Sequence, residues 1–335
     1  MTNIVDLVDR ARIGNPRAVS RLISLIENES PGFTKAYASL YRRTGRAQIM
    51  GITGPPGSGK STLVDKMAAT FRSRGKTVGI IAVDPTSPFS GGALLGDRLR
   101  MQRHYLDEGV FIRSMGSRGH LGGVSRATSG AVDVLDAAGY DYVIVETVGV
   151  GQAEVEIASI ADTVVLVLVP GLGDDIQVIK AGVMEIGDVF VVNKKDRPGA
   201  DRTAAEVRMA LEQNGHAPGP AGESGSRSPG PDHAPPQPTV LLTCAETGEG
   251  VAAVCDECER HAAWLRESSG LEERRIRRAR LETTRITSDR MWANLAKDPG
   301  TASSALEIAR RVAAREIDPY AAGDELYKML LQRGG

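Results

Sequence analysis

The stretch "GPPGSGKS", from Gly54 to Ser61, constrains the fold more than any other part of this 335-residue chain. It matches the pattern G-x-x-x-x-G-K-S, follows the apolar run "QIMGIT" and precedes the helical run "STLVDKMAATFRSRG". A strand, a glycine-rich turn and a helix in that order form a phosphate-binding loop, whose backbone N–H groups and positive helix N-terminus surround an anion. The sequence therefore predicts a nucleotide site.

Two side chains of this loop carry specific roles in that prediction. We expect Lys60 to bridge the β- and γ-phosphates and the Ser61 hydroxyl to ligate Mg²⁺. The predicted nucleotide-binding residues of the loop are Gly54, Pro55, Pro56, Gly57, Ser58, Gly59, Lys60, Ser61 and Thr62.

The rest of the chain continues the strand–helix alternation. After "QIMGIT" come "TVGIIAV", "VFIRSM", "DYVIVE", "TVVLVLV", "DVFVVN" and "TVLLTC", separated by segments of helical composition. Strands that are apolar on both faces and alternate with helices predict a parallel sheet with both faces covered. The predicted fold is α/β: a P-loop NTPase with a mainly parallel sheet covered by helices on both faces, plus N-terminal and C-terminal helical extensions. Ligands of such sheets bind at the carboxyl ends of the strands.

Composition divides the chain into three predicted parts. Residues 1–45 form an N-terminal helical segment, broken at "GNP" (14–16) and "SPG" (30–32). Residues 46–265 form the nucleotide-binding domain, with a Gly/Pro-rich insert at 214–238 that is either a mobile surface loop or a partner-binding loop. Residues 266–335 form a helical arm with seven arginines between Leu271 and Arg290. We favour a solvated arm or an oligomer interface there over nucleic-acid binding.

Bulk properties exclude several classes of protein. The hydrophobic content of 41%, the charged content of 25% and the net charge of -1 are ordinary for a globular chain, and give no general case for nucleic acid or an anionic membrane. Three cysteines are too few for a disulfide framework, and no apolar run reaches the ~18 residues of a membrane span. We expect a cytoplasmic protein with no nucleic-acid partner and no membrane segment.

A second motif predicts which base is bound. "FVVNKKD" supplies N-K-x-D at Asn193, Lys194 and Asp196 directly after a predicted strand. The Asp196 carboxylate can accept hydrogen bonds from the N1–H and 2-amino groups of guanine, whereas adenine would leave it poorly paired. The Lys194 stem can lie along the base, and Asn193 can tie this loop to the phosphate loop. The pattern favours GTP over ATP.

A third loop, "LTCAETGEG", is similar to the loop that contacts the guanine O6 atom in GTPases. Cys244 replaces the usual serine of that loop. We assign the contact to the backbone around Ala245 and Glu246, and count Cys244, Ala245 and Glu246 among the nucleotide-binding residues.

The longer motifs resemble one family. "GITGPPGSGKSTLVD", "AVDPTSP", "GGALLGDRLRM", "RSMGSRGHLGG", "ETVGVGQAE" and "PGLGDDIQVIKAGVMEIGDVFVVNKKD" run almost continuously from residue 50 to 196, and "REIDPYAAGDEL" follows near the C-terminus. The chain is identified by these stretches as a member of the MeaB/ArgK family of P-loop GTPases, in the SIMIBI class. That family is described as chaperones of cobalamin-dependent acyl-CoA mutases, with methylmalonyl-CoA mutase as the default partner.

The resemblance implies further residue roles. It places Ser61, Asp84, Asp97 and Glu146 around Mg²⁺, with Asp97 in the first switch and Glu146 opening the second. It places Lys180 in a third switch that communicates with the partner, and it implies a homodimer formed through the C-terminal helices. Together with Lys60, Asp97 and Glu146, Gln152 is a catalytic candidate: it either positions the attacking water or ties down the backbone.

Other functions stay open at this point. A metal-delivery GTPase is one, because "CDECERH" carries Cys255, Cys258 and His261. Their positions fall on one helical face with Val251 and Leu265, which favours core packing over metal binding. Two more are a GTP- or ATP-dependent kinase and an oligomeric scaffold whose nucleotide is structural.

Overall fold

The computed structural model describes residues 4–30, 32–84, 104, 106–116, 126–147, 156–171, 183–213, 238–297 and 299–333. The chain divides into two compact units, residues 1–274 and 275–335. The first unit contains the sheet and the motifs of the predicted nucleotide site, and the second is helical.

One parallel sheet organises the first unit. Its strands are β1 (Gln48–Thr53), β2 (Val78–Asp84), β3 (Val110–Gly116), β4 (Tyr142–Thr147), β5 (Thr163–Leu168), β6 (Val189–Val192) and β7 (Thr239–Leu242). They lie in the order β3-β2-β4-β1-β5-β6-β7, and every neighbouring pair is parallel.

The sheet confirms the predicted fold class. Strands β1, β4, β5 and β6 are buried along their whole length, as their apolar residues on both faces predict. Strand β1 lies at the centre between β4 and β5, so the phosphate loop that follows it opens at the carboxyl edge of the sheet. The predicted strand "TVLLTC" is shorter than expected, because β7 ends at Leu242.

Helices cover both faces of this sheet. Within the first unit they are α1 (Ile4–Arg12), α2 (Pro16–Glu27), α3 (Phe33–Tyr41), α4 (Lys60–Ser73), α5 (Arg126–Ala137), α6 (Ala200–Gln213) and α7 (Val251–Glu267). Helix α8 (Gly270–Lys297) begins in the first unit and continues into the second, which also holds α9 (Pro299–Ala313) and α10 (Pro319–Arg333).

The N-terminal helices join the core of the first unit. Helix α2 begins where predicted: Pro16 occupies its first turn, and the Asn15 side chain accepts a hydrogen bond from the Ala18 N–H at 3.0 Å. Its apolar face, including Leu22 and Ile23, packs into the same buried cluster as α5 and the strands. The predicted boundary between the 1–45 segment and the 46–265 domain stays a prediction, because the two parts share this core.

In the second unit, α9 and α10 pack against each other, and Arg311 forms an ion pair with Glu325 at 3.0 Å. Across the part of the chain that the structure describes, every helix is too short or too polar to cross a lipid bilayer.

Candidate nucleotide site

The phosphate loop adopts a backbone that its glycines make possible. Gly54 has φ +139°, and a Cβ there would lie 2.1 Å from the Val167 carbonyl oxygen. Gly59 has φ +89°, and a Cβ there would lie 2.4 Å from the side-chain nitrogen of Asn193. Only glycine fits both positions, so the motif glycines allow close packing as well as the turn.

Lys60 is the first residue of α4 and is 5% exposed. Its ammonium donates hydrogen bonds to the carbonyl oxygens of Gly54 at 2.7 Å and Pro55 at 2.9 Å. The loop thus concentrates a fixed positive charge beside the helix N-terminus, where the two act together on an anion.

The next residue connects the phosphate loop to the end of β4. The Ser61 hydroxyl donates to the Glu146 carboxylate at 2.5 Å, and Glu146 is 4% exposed. One residue further on, the buried Thr147 hydroxyl donates to the Thr53 hydroxyl at 3.1 Å. Two adjacent side chains at the end of β4, where the predicted second switch begins, are therefore hydrogen-bonded to β1 and to the phosphate loop. The sequence pattern did not single out the threonine pair, because that contact depends on the register between β1 and β4.

The chemistry of these side chains fits Mg²⁺. A hydroxyl oxygen and a carboxylate oxygen are the hard ligands that Mg²⁺ prefers, and in Ser61 and Glu146 they are within direct contact of each other. Asp84 ends the neighbouring strand β2, so its backbone lies at the same sheet edge. Its side chain and the whole of Asp97 lie outside the described residues.

Further predicted features also fall outside that part of the chain. Gln152 and Lys180 are not among the described residues, nor is the insert from 214 to 237. Their roles stay predictions.

Asn193 joins the base loops to the phosphate loop, as its sequence position predicted. Its side-chain N–H donates to the Ser58 carbonyl at 2.8 Å. Its side-chain oxygen accepts from the Ala245 N–H at 2.9 Å and from the Thr243 hydroxyl at 3.1 Å. One buried amide therefore holds three segments, following β1, β6 and β7, in a fixed arrangement.

Lys194 makes a second connection between the same loops. It has the left-handed φ of +59°, unusual for a residue with a side chain, and its ammonium donates to the Gly57 carbonyl at 2.7 Å. Asp196 lies two residues further on and is exposed. The Lys194 side chain reaches from the N-K-x-D loop to the phosphate loop, so its stem lies between these two loops.

The third loop turns tightly after β7. Cys244 is buried, and its backbone pairs with Glu249 in an isolated antiparallel bridge. The Ala245 N–H is already engaged by Asn193, and Glu246 is exposed. The contact of the backbone around Ala245 and Glu246 with guanine stays a prediction.

The cysteines of α7 pack in the core, which confirms that interpretation of the helical spacing. Cys255 and Cys258 are fully buried among the side chains of α4 and the sheet. Burial raises the pKa of the Cys255 thiol to about 12. Since a thiolate is the form that ligates metals, this environment disfavours metal binding. Within the described ranges no three His, Cys, Asp or Glu side chains are grouped to hold a metal ion.

A buried ionic cluster lies at the opposite, amino edge of the sheet. Asp188, which precedes β6, accepts from both terminal nitrogens of Arg274 at 2.7 and 2.9 Å and from the Val164 N–H at 2.8 Å. His261 lies 3.4 Å from the same carboxylate and is hydrogen-bonded to Thr163 at 2.9 Å. Arg274 comes from the arginine-rich stretch that the sequence predicted to be a solvated arm or an oligomer interface; it is 16% exposed and is bound within the first unit.

The phosphate loop, the N-K-x-D loop and the parallel sheet with β1 at its centre define a P-loop nucleotide hydrolase of the GTPase class. Comparison with known proteins agrees. A family described as "Methylmalonyl Co-A mutase-associated GTPase MeaB" matches residues 19–299, so the chain belongs to the MeaB family and is a GTPase.

Individual relatives extend along almost the whole chain. A putative GTPase of Pyrococcus abyssi is 47% identical over 331 residues, covering 99% of this chain and 98% of the relative. The methylmalonic aciduria type A homolog, mitochondrial, of Caenorhabditis elegans is 30% identical and covers 97% of this chain and 82% of the relative. A crystal structure of an LAO/AO transport system kinase covers 99% of both chains with a TM-score of 0.70 and 24% identity, and supports the fold.

Proposed function

We propose that this chain is a GTP-hydrolysing chaperone of a cobalamin-dependent acyl-CoA mutase, with methylmalonyl-CoA mutase as the first candidate. GTP binding and hydrolysis would control three steps: loading of the cofactor into the mutase, protection of the mutase and its reactivation. The observation that carries the proposal is the match of the mutase-associated GTPase family over residues 19–299. The relative from Caenorhabditis elegans, whose name refers to methylmalonic aciduria, supports the same link.

The geometry supports separate roles for individual groups in GTP hydrolysis. In this proposal the amides of the phosphate loop and Lys60 stabilise the negative charge that develops when water attacks the γ-phosphate. The Lys60 ammonium lies inside the loop, where it donates to two carbonyl oxygens. When nucleotide binds, phosphate oxygens can take the place of these carbonyl oxygens as acceptors. Asp97, Glu146 and Gln152 complete the proposed catalytic group.

Mg²⁺ would be held by Ser61 and Glu146, with Asp84 and Asp97, directly or through water. When bound, it neutralises phosphate charge in the transition state. Glu146 also accepts from Ser61, so the same carboxylate joins the phosphate loop to the start of the second switch. This contact supports a switch that responds to the nucleotide, as in proteins ordered by γ-phosphate and Mg²⁺.

The base site supports guanine. We propose that Asp196 accepts from the guanine N1–H and 2-amino groups, while Asn193 and Lys194 hold its loop against the phosphate loop. The connection between the two loops means that binding of the base and binding of the phosphates are coupled through these two side chains.

We also propose that the 1–45 segment, the 46–265 domain with its 214–238 insert and the 266–335 arm are the functional parts of the chain. The arm would form a homodimer, and Lys180 would take part in communication with the mutase. Exposed apolar side chains in the second unit, among them Leu306 and Tyr320, support a contact surface there.

The experiment that tests the function is GTP hydrolysis with and without purified cobalamin-dependent mutases. Release of inorganic phosphate from GTP should rise when the partner mutase is added, and ATP should not replace GTP. Transfer of the γ-phosphate to an acceptor would indicate a kinase instead. Absence of stimulation by every mutase tested would refute the chaperone role and leave the GTPase activity intact.

A further inference from the structure

The N-terminal helices carry an excess of positive charge on a chain that is slightly acidic overall. Residues 1–46 contain eight basic and four acidic side chains, a net charge of +4, whereas the whole chain has -1. Seven of the eight basic residues are arginines. Charge concentrated in one segment of a nearly neutral protein is typical of a surface that meets a partner of the opposite sign.

Part of this charge lines a concave surface between α1 and α2. Its volume is about 760 Å³, and its basic side chains are Arg10, Arg17 and Arg21. On α2 the lining residues at 17, 20, 21 and 24 are spaced by three or four positions, so they form one polar stripe. The opposite face of the helix is buried in the core. We call the cavity and this stripe the α1–α2 basic surface.

The two arginines of the stripe are Arg17 and Arg21. Among the residues that the structure describes, no acidic side chain lies within ion-pair distance of either of them. Arg10 has one distant partner, Asp6, at 3.9 Å, and both side chains are about half exposed. An exposed pair at that distance contributes little, so three guanidinium groups are available to a ligand or partner.

Two serines complete the stripe and hold it to the sheet. The Ser20 and Ser24 hydroxyls accept from the Arg113 guanidinium of β3 at 3.3 and 3.1 Å. Their hydroxyl hydrogens can donate to an incoming carboxylate. Arg113 also pairs with Glu27 at 3.0 Å, which balances its own charge and fixes α2 against the edge strand β3. The surface is therefore held on a rigid element.

We propose that the α1–α2 basic surface docks an acidic patch, rich in Asp and Glu, on the partner mutase; this rests on the proposed chaperone function. A protein partner fits better than a nucleic acid or a membrane for two reasons. The basic groups are arginines rather than lysines, as at protein interfaces. In addition, Ile13, in the turn between α1 and α2, is 83% exposed beside them and offers an apolar contact.

The test is the affinity of the full-length chain for purified methylmalonyl-CoA mutase, measured by calorimetry. The double variant Arg17→Glu and Arg21→Glu should weaken binding by about tenfold or more, because carboxylates would then face carboxylates. Position 17 is in the first turn of α2, where an acidic residue is favourable. Position 21 is on the exposed face of the helix, so α2 should stay folded. Unchanged thermal unfolding and basal GTP hydrolysis check this, and Arg17→Gln with Arg21→Gln should give an intermediate loss.

A matched control is the same charge reversal at Arg42 and Arg43. These exposed arginines line a different concave surface of the same segment, with Arg46. If the mutase docks locally on the α1–α2 basic surface, this control should weaken binding by less than about threefold. If the attraction is only long-range, both charge reversals should weaken binding equally. Equal effects, or no effect of the Arg17 and Arg21 reversal, would overturn the inference while leaving the chaperone proposal standing.

Two further outcomes separate the proposals. If the wild-type chain binds no cobalamin-dependent mutase, the proposed function fails and this docking surface fails with it. If the chain instead binds duplex DNA or vesicles of phosphatidylcholine and phosphatidylserine, and the Arg17 and Arg21 reversal abolishes that binding, the surface serves another partner and the inference is overturned.

Discussion

The Asn193 side chain donates to the Ser58 carbonyl at 2.8 Å, so a loop that follows β6 is hydrogen-bonded to the middle of the phosphate loop that follows β1. The oxygen of the same amide accepts from the backbone after β7. Both ends of the amide are buried and paired, so the geometry of the proposed base site depends on the phosphate loop.

Replacement of Asn193 by Ala should therefore weaken nucleotide binding as a whole. It leaves the Ala245 N–H without its partner, at a cost of about 1–3 kcal/mol. We expect the Kd for GDP to rise by about tenfold, which corresponds to about 1.4 kcal/mol. Titration with a fluorescent GDP analogue measures it.

Thr243→Val is the matched control for this variant. It removes one hydrogen bond to the same oxygen and keeps the volume of the buried side chain similar. A loss of affinity as large as that of Asn193→Ala would contradict the central role of the amide.

Two glycines of the phosphate loop offer an internal comparison. Gly57 and Gly59 both have positive φ, +75° and +89°, but a Cβ at Gly57 meets nothing within 4 Å, while a Cβ at Gly59 meets Asn193. Gly57→Ala should cost only the left-handed conformation, about 1–2 kcal/mol. Gly59→Ala should cost this and also displace Asn193, so its loss of nucleotide affinity should be the larger. Thermal unfolding with and without GDP distinguishes the two variants, and an equal effect would refute the packing argument.

Glu146→Gln should affect hydrolysis more than binding. The amide keeps the shape of the side chain and a hydrogen bond with Ser61, but removes the negative charge proposed to face Mg²⁺. We expect the GDP affinity to change by less than about threefold and kcat to fall by about tenfold or more. We also expect the Mg²⁺ concentration for half-maximal activity to rise. A normal Mg²⁺ dependence in the variant would exclude Glu146 from the metal site.

The sequence predicted the elements that have local patterns. The buried strand "QIMGIT", the loop at Gly54–Ser61, the break before Pro16 and the core positions of Cys255 and Cys258 follow from periodicity and from glycine and proline positions. These signals lie within short windows, and so can be recognised without knowing what packs where.

Contacts between distant positions gave no such signal. Arg274 is one of seven arginines in a polar stretch, and nothing in the local sequence distinguishes it from the other six. Its partner Asp188 lies 86 residues away, and the pair meets only because α8 begins at the amino edge of β5 and β6. The hydrogen bond between Thr53 and Thr147 likewise depends on strand register.

Arg274→Ala should destabilise the first unit strongly. It leaves the Asp188 carboxylate, 1% exposed, without its bidentate partner. Loss of one member of a buried pair costs about 3–5 kcal/mol. Arg202→Ala is the control: its pair with Glu206 is on an exposed helix face, and such a pair contributes about 0.3–0.5 kcal/mol. Urea denaturation measures both, and similar losses would mean that the buried pair is not important for stability.

Acid should destabilise the protein through the same cluster. Burial lowers the pKa of His261, and although the Asp188 carboxylate opposes this, the pKa stays below its usual value. Burial alone would raise the pKa of Asp188, but hydrogen bonds and the charge of Arg274 outweigh it and lower the pKa. In both cases the unfolded chain binds protons more readily than the folded chain, so the free energy of unfolding falls as the pH falls.

The two groups act in different pH windows. The His261 contribution should begin to disappear as the pH falls below about 6.5, its ordinary pKa, and the Asp188 contribution below about 4. His261→Gln should remove the first decrease and keep the second. Urea denaturation of wild type and variant between about pH 7.5 and 3 tests this. Parallel stability curves for the two proteins over that range would show that His261 is not the group responsible.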